Sequence, residues 1–187
     1  MKTPHRPLLF LDVDGPLLPF GAPTGSEFPS PPSDGAGQWN PLAARLDPSV
    51  GPLLSALACE LVWATTWAHE ANQSISPLLG LPALAVVVWP DEPDDRVDEW
   101  FGLHWKTRTL VEWAAGRPFI WIDDEISDRD REWVATNYGS RALLYRVDPR
   151  TGLRHSDFAT LTEWLDTTIS ERPTCERYSA SICSECL

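Results

Sequence analysis

Residues 8–15 read Leu-Leu-Phe-Leu-Asp-Val-Asp-Gly, and the interpretation of the whole chain begins there. Apart from Asp12, residues 8–13 are apolar. They lack the alternation of polar and apolar residues that is typical of a strand with one solvent-exposed face. This pattern predicts a central strand that is buried on both faces. Two carboxylates follow, and then Gly15 and Pro16. Because open α/β sheets bind ligands in the crevice beyond the carboxyl ends of their strands, the stretch predicts a ligand site.

The two carboxylates are separated by one residue, and residues i and i+2 of a strand share a face. If Asp12 points into the crevice, Asp14 does so too, or the chain turns at Asp14 and offers its backbone carbonyl there. Such a group attracts a hard divalent cation, and Mg2+ typically takes one or two carboxylates with water and substrate phosphate. The alternative is a strand-end turn whose aspartates accept hydrogen bonds from backbone groups. These eight residues favour neither reading.

Composition bounds the class of protein. A chain of 187 residues with 43% hydrophobic and 22% charged residues is typical of one globular domain. Its formal net charge is -12. That charge disfavours strong, sequence-independent binding to nucleic acid, which depends on many Lys and Arg contacts to phosphates. A local basic pocket is still compatible with it.

The sequence contains no run of about 18 apolar residues, so we expect no membrane span. Asp12 interrupts the first apolar run before it reaches the length of a signal peptide, and we therefore expect a cytoplasmic protein. Cys59 lies in an apolar stretch where a reduced, buried thiol is expected. Cys183-x-x-Cys186 is either half of a zinc site or part of a loose reduced tail.

Strand and helix patterns alternate five times along the chain, which predicts an α/β fold. We expect a three-layer Rossmann-like sandwich with a five-stranded, mostly parallel sheet and no large cap domain. The predicted strands are residues 8–13, 60–65, 83–89, 119–122 and 142–147. Helices are predicted at 47–58, with Asp47 as N-cap, at 67–79, ended by Gly80, at 104–115, after Ser127 as N-cap, and at 156–169.

The predicted domain organisation consists of one domain, a long loop within it and a C-terminal tail. Residues 1–169 form the domain, and residues 16–46, rich in Pro, Gly and Ser, form a long loop over the crevice. Residues 170–187 show no apolar period and are expected to be a flexible tail.

Polar residues collect where the apolar strands end. Asp12 and Asp14 end the first strand, Thr65 the second, and Asp123-Asp124 the fourth. A parallel sheet brings these ends to one edge, so the groups converge on a single crevice. Lys106, at the start of the helix that precedes the fourth strand, can reach into it.

This constellation resembles the haloacid dehalogenase (HAD) superfamily, whose four motifs appear in order. Residues 8–17 match the first motif, a hydrophobic run followed by Asp-x-Asp-Gly. Thr65 is similar to the second motif, Lys106 to the third, and residues 119–124 to the fourth. The resemblance covers about residues 8–165.

The resemblance implies a role for each matching residue. Asp12 is the nucleophile that forms an aspartyl-phosphate, and Asp14 is the general acid and base. Thr65 and Lys106 hold the phosphoryl oxygens. Thr66 is an alternative to Thr65, and Arg108 to Lys106. Each of these side chains also has a purely structural reading, as a helix-capping hydroxyl or a solvated cation.

The implied cofactor is Mg2+. It is held by Asp12, by the main-chain carbonyl of Asp14, and by Asp123 with Asp124 beside it. Substrate contacts are predicted from Gly15, Thr66, Trp67 and Arg108. Trp67, together with Trp39 and Trp105, flanks the crevice and can stack on a base or ring. The remaining tryptophans are predicted to pack in the core: Trp63, Trp113, Trp121, Trp133 and Trp164.

The residue two positions after the nucleophile indicates the chemistry. In this superfamily an Asp there, as at Asp14, accompanies phosphatases and phosphomutases. Receiver domains of signalling systems place their Lys last, whereas Lys106 precedes Asp123 here. We therefore predict a Mg2+-dependent phosphomonoesterase. The alternatives are a phosphotransferase or mutase, and a module that binds phosphate without turnover.

The segments after the first and third strands are too short or too rich in proline for a helical cap domain. An open crevice suits a large phosphorylated substrate, such as a nucleotide, a nucleic-acid end or a phosphoprotein. The chain is also similar to the HAD-like modules of bacterial RNA-repair proteins, through Leu-Val-Trp-Ala-Thr at residues 61–65 and Trp-Ile-Asp-Asp at residues 121–124. The net charge of -12 argues against that closer similarity.

Overall fold

A computed structural model describes residues 6–21, 45–90, 100 and 102–171 of the chain. Its strands are β1 (Leu8–Leu11), β2 (Glu60–Trp63), β3 (Ala85–Val86), β4 (Phe119–Asp123) and β5 (Ala142–Arg146). Its helices are α1 (Val50–Ala56), α2 (Glu70–Ser74), α3 (Ser76–Leu79), α4 (Thr107–Ala114), α5 (Asp128–Asn137) and α6 (Asp157–Ser170).

The five strands form one sheet in the order β3-β2-β1-β4-β5, and every neighbouring pair is parallel. β1 lies at the centre, with Leu8 aligned to Glu60 of β2 on one side and to Phe119 of β4 on the other. All four β1 residues are buried, as the apolar run predicts. The predicted Rossmann-like α/β fold with five strands is confirmed.

Helices cover both faces of the sheet, because alternate residues of each strand feed two separate cores. Leu9 and Leu11 pack in one core with residues from α1, α2, α3 and α6. Leu8 and Phe10 pack in the other with residues from α4 and α5. Trp63 and Trp121 are fully buried, and Trp113, Trp133 and Trp164 pack against the cores while partly buried. Cys59 is a buried free thiol, as expected.

Several predicted boundaries are wrong, for local reasons. The helix predicted at 67–79 is two short helices that meet at Ile75, because Pro77 has no N–H for an i to i−4 bond. The strand predicted at 83–89 shrinks to Ala85–Val86, since it pairs only with the last two residues of the four-residue strand β2. The helix predicted from Asp47 begins at Val50, and Asp47 instead accepts a hydrogen bond from the Ser49 backbone N–H.

Two helix ends agree with the sequence. The Ser127 side chain accepts from the backbone N–H of Asp130, whose carboxylate accepts in return from the Ser127 backbone, so the pair forms a capping box at the start of α5. Gly80 ends α3 in the left-handed conformation. The start of α4 differs from the prediction, because this helix begins at Thr107 and not at His104. Its C-cap, Ala115, has a left-handed conformation.

Residues 22–44, 91–99 and 172–187 lie outside the described residues. The predictions of a Pro-rich loop over the crevice, of no large cap domain, and of a tail with Cys183 and Cys186 fall wholly or partly on them, as does Trp39. Among the described residues, no helix is long and apolar enough to cross a membrane.

Candidate active site

Sheet register places Asp12 and Asp123 side by side. Phe10 aligns with Trp121 and Leu11 with Ile122, and the backbone N–H of Asp12 donates to the carbonyl of Ile122 at 3.1 Å. Asp12 follows Phe10 by two residues, and Asp123 follows Trp121 by two. Both carboxylates therefore lie on the sheet face that Phe10 and Trp121 share with α4.

Lys106 joins these two carboxylates from the start of α4. Its Nζ lies 2.7 Å from Asp12 Oδ2 and 2.9 Å from Asp123 Oδ2. The three side chains are buried, with exposed fractions of 4% for Lys106, 11% for Asp12 and 0% for Asp123. Removing one cation and two anions from water costs free energy that their mutual attraction often does not recover. Stability alone therefore does not explain why these three side chains are buried together.

Burial and charge shift the protonation equilibria of this cluster. Burial, the largest effect, and the nearby Asp123 carboxylate raise the pKa of Asp12 to about 7, although the Lys106 ammonium opposes them. Burial alone would lower the pKa of Lys106, but the two carboxylates outweigh it and raise that pKa, so Lys106 is an ammonium. Burial and then Asp123 also raise the pKa of Asp124. One ammonium thus does not balance the negative charge of the cluster.

Asp123 is held by three N–H donors. Its Oδ2 accepts from Trp121 Nε1 at 3.2 Å in addition to Lys106, and its Oδ1 accepts from the Glu125 backbone N–H at 3.0 Å. Sequence reasoning assigned Trp121 to the core alone and missed this bond. The signal was present, because residues two apart on a strand share a face and the indole N–H needs an acceptor when it is buried.

Asp124 completes a set of carboxylates suited to a cation. One oxygen each of Asp12, Asp123 and Asp124 lie within 4.8 Å of one another. The absence of a side chain at Gly15 makes room for Asp124, since a Cβ there would lie 2.4 Å from Asp124 Oδ1. Oxygen donors in this number and an excess of negative charge fit Mg2+. Asp14 was predicted to contribute its main-chain carbonyl, and this stays a prediction, because the set consists of side-chain oxygens.

His104, Asp123 and Glu125 form a second group within the same distance. His104 Nδ1 lies 3.2 Å from the Lys106 backbone N–H and accepts from it, so Nε2 carries the proton and donates to Glu125 at 3.1 Å. Both ring nitrogens are therefore engaged within the protein. This arrangement fixes the backbone at Lys106 and is explained without a metal.

Asp14 lies in a different environment from Asp12. Its Oδ2 accepts a hydrogen bond from Trp67 Nε1 at 2.9 Å. The chain turns directly after it, because the Gly15 N–H donates to the carbonyl of Leu18 at 3.2 Å and Gly15 has φ of +80°. Gly15 thus serves a turn and a close approach, both of which require glycine.

The remaining predicted site residues differ in burial and in their contacts. Thr65 is fully buried, and its Oγ1 accepts from the Trp67 backbone N–H at 3.3 Å, whereas Thr66 is exposed. Arg108 is half-buried on α4. Trp105 packs edge-on against Trp89, with its ring centroid 5.4 Å from Lys106 Nζ. The roles assigned to these side chains in substrate binding stay predictions.

Comparison with known proteins gives one match. A sequence model of the family described as "HAD domain in Swiss Army Knife RNA repair proteins" matches residues 8–158, which is more than half of the chain. The matched segment runs from the first residue of β1 into α6 and contains every site residue described above. No curated protein and no solved structure gives a significant match.

Proposed function

We propose a function on the premise that this match establishes: the chain belongs to the family of HAD domains in Swiss Army Knife RNA repair proteins. Both the superfamily resemblance and the closer similarity to RNA-repair modules are thereby confirmed. The proposed function is that of a Mg2+-dependent phosphomonoesterase that acts through an aspartyl-phosphate at Asp12. The observation that carries it is the cluster in which buried Lys106 bridges Asp12 and Asp123, with an Asp124 oxygen within 4.8 Å of an oxygen of each of these carboxylates.

The cluster supports this chemistry for electrostatic reasons. A carboxylate and a dianionic phosphate repel each other, so positive charge must be present before Asp12 can attack. Lys106 supplies one such charge at 2.7 Å from Asp12. Mg2+, held by Asp12, Asp123 and Asp124, would supply further stabilisation of the charge that develops on the phosphoryl oxygens. Phosphoryl transfer depends almost wholly on positioning and charge stabilisation, which is what these residues offer.

The proposed reaction has two steps that share Asp14. In the first, an oxygen of Asp12 bonds to phosphorus, the bond from phosphorus to the leaving oxygen breaks, and a proton passes from Asp14 to that oxygen. In the second, Asp14 takes a proton from water, the water oxygen bonds to phosphorus, and the bond from phosphorus to Asp12 breaks. Phosphate and the carboxylate of Asp12 are then regenerated, as in other covalent carboxylate mechanisms.

The proposed substrate is the terminal phosphate of an RNA strand. The description of the family supports this class, since it places the domain in RNA repair proteins. The net charge of -12 implies that the domain does not bind a long stretch of the RNA backbone through non-specific electrostatic attraction. Recognition would therefore be confined to the end of the strand, whose phosphate enters the cluster at Lys106.

The test is phosphate release with and without Mg2+ from p-nitrophenyl phosphate and from RNA oligonucleotides that carry a 3′- or a 5′-phosphate. Wild type should release phosphate only with Mg2+ and should prefer one class of RNA end. Asp12→Asn should lower turnover by about 10⁴-fold or more, because it removes the nucleophile. Glu60→Gln, at the opposite end of the sheet, is the matched control and should match wild type.

Three outcomes would contradict the proposal. Release that survives Asp12→Asn would exclude the covalent route through this residue. Mg2+ binding by wild type without release from any ester would favour a module that only binds phosphate. Phosphoryl transfer to an added alcohol in preference to water would favour a phosphotransferase.

A further inference from the structure

Trp67 and Asp14 form a hydrogen bond across the crevice. The indole Nε1 lies 2.9 Å from Asp14 Oδ2, although the two residues are 53 positions apart in sequence. Both follow neighbouring strands: Asp14 lies three residues after the end of β1, and Trp67 four residues after the end of β2. The partly buried Trp67 ring packs against the core on this side of the sheet.

The backbone around Trp67 is built to hold this position. The Ala68 N–H donates to the Thr65 carbonyl at 3.3 Å, and the same carbonyl accepts from Trp89 Nε1 at 3.0 Å. The Trp67 backbone N–H donates to Thr65 Oγ1. Ala68 has φ of +47°, a conformation that residues other than glycine rarely adopt. A strained residue next to a functional one indicates that its surroundings enforce the position.

We propose that Trp67 is a positioning residue that fixes the carboxyl group of Asp14 and confines its transferable proton to Oδ1. This inference rests on the proposed function. An indole N–H donates and cannot accept, and the stronger acceptor of a carboxylic acid is the oxygen that carries no proton. When Asp14 is in its acid form, Oδ2 faces the indole and the proton is on Oδ1.

This assignment specifies the proton path in both steps. In the first step the proton moves from Asp14 Oδ1 to the leaving oxygen as the bond from that oxygen to phosphorus breaks. In the second step Oδ1 takes a proton from the attacking water, and the acid form returns. Oδ2 keeps the bond to Trp67 throughout, so the carboxyl group does not rotate between the steps. A fixed donor geometry is what proton transfer to a leaving group requires.

The earlier hypothesis for Trp67 was stacking on a base or ring of the substrate. The two roles make different kinetic predictions. A stacking residue contributes binding energy, so its loss raises KM and leaves the leaving-group dependence unchanged. A residue that positions the general acid affects esters with poor leaving groups much more than activated esters.

The experiment compares wild type with Trp67→Phe, which keeps an aromatic ring and removes the N–H donor. Release of the leaving group is followed in single turnovers with Mg2+ and enzyme in excess, which isolates the first step. The two substrates are p-nitrophenyl phosphate and an alkyl phosphate. Trp164→Phe, the same change at a partly buried tryptophan of α6, is the matched control.

We expect Trp67→Phe to slow release from the alkyl phosphate by about 10- to 100-fold, a part of what general acid catalysis contributes. Release from p-nitrophenyl phosphate should slow by less than about threefold, the KM measured separately in the steady state should stay within about twofold, and Trp164→Phe should match wild type. Equal slowing on both esters, or a raised KM with unchanged rates, would overturn the positioning role. A wild type that releases no phosphate would instead overturn the proposed function, and this inference with it.

A measurement on the wild-type fold keeps the inference testable if Trp67→Phe does not fold. The indole N–H resonance of Trp67, labelled with ¹⁵N, should exchange slowly with solvent and should shift in Asp14→Ala, which removes its acceptor. An indole signal that exchanges rapidly in wild type, or does not move in Asp14→Ala, would overturn the proposal.

Discussion

The two ends of the same central strands carry charge in opposite ways. At the amino ends, Glu60 at the start of β2 pairs with Arg117 just before β4, and both side chains are in contact with solvent, with exposed fractions of 47% and 20%. At the carboxyl ends, Lys106, Asp12 and Asp123 pair while almost wholly buried. Exposed pairs contribute about 0–1 kcal/mol, whereas buried ones often do not recover their desolvation cost. Buried charges that cost stability are what the proposed phosphoryl chemistry at the carboxyl edge requires.

The sharpest test of this difference is the loss of one charged partner at each end. Lys106→Met should destabilise the metal-free protein by about 3–5 kcal/mol, because it leaves two adjacent buried carboxylates without their shared partner. Glu60→Gln, which breaks the exposed pair, should cost less than about 1 kcal/mol. Urea unfolding of both variants with wild type measures the two values. Equal losses would mean that burial does not distinguish the two ends.

A smaller effect is expected at Gly15, where the Asp124 side chain lies close to the Gly15 backbone. Gly15→Ala places a Cβ 2.4 Å from Asp124 Oδ1 and should weaken Mg2+ binding by about tenfold, because it displaces one of the proposed ligands. Gly116→Ala is a matched control, since Gly116 has φ of +83° against +80° at Gly15 but has no atom within 4 Å of the added Cβ.

Calorimetric titration with Mg2+ compares these two glycine variants. Backbone strain should appear in both variants as lost stability. Weakened Mg2+ binding should appear only in Gly15→Ala. Equal Mg2+ affinity in the two variants would remove Asp124 from the metal site.

A further predicted effect at the carboxyl edge is a dependence of stability on pH. Because burial raises the pKa of Asp12 from 3.8 to about 7, the folded chain holds this proton more tightly than the unfolded chain does. Through Asp12 the metal-free protein should therefore lose stability as the pH rises from 3.8 to about 7. Mg2+ affinity should change in the opposite direction and increase across neutral pH, because the ligand must be deprotonated.

Titration of Mg2+ in buffers of different ionisation enthalpy counts the protons released. More protons should leave below the pKa of Asp12 than above it. Proton release that does not vary with pH would show that Asp12 is already ionised in the metal-free site.

The features of this molecule that depend on local sequence pattern were predicted from the sequence. The run at 8–13 and the four apolar residues before Asp123 predict two buried strands. The structure makes these strands neighbours, and their parallel register brings Asp12 and Asp123 together. The shortness of β3 was not predictable, since it depends on how far β2 extends beside it. The split at Ile75 was predictable from Pro77, because a proline in the interior of a helix interrupts its hydrogen bonds.

The hydrogen bonds to the carboxylates of the candidate site were harder to predict. The bond from Trp121 to Asp123 follows from their two-residue spacing on one strand. The bond from Trp67 to Asp14 depends on a turn in which Ala68 adopts a left-handed conformation, and no sequence signal identifies that turn. Tryptophans near a crevice were therefore read as stacking surfaces, although one of them is also a hydrogen-bond donor to the site.

The most direct test of the account is to locate the phosphoryl group on the protein. Wild type is mixed with Mg2+ and an activated phosphate ester, quenched in acid within one turnover and reduced with borohydride, which converts a phosphorylated aspartate to homoserine. Mass spectrometry of the peptides then identifies the modified residue. We expect homoserine at position 12 and unmodified Asp14. Modification at Asp14, or no modified aspartate in a preparation that releases phosphate, would contradict this expectation.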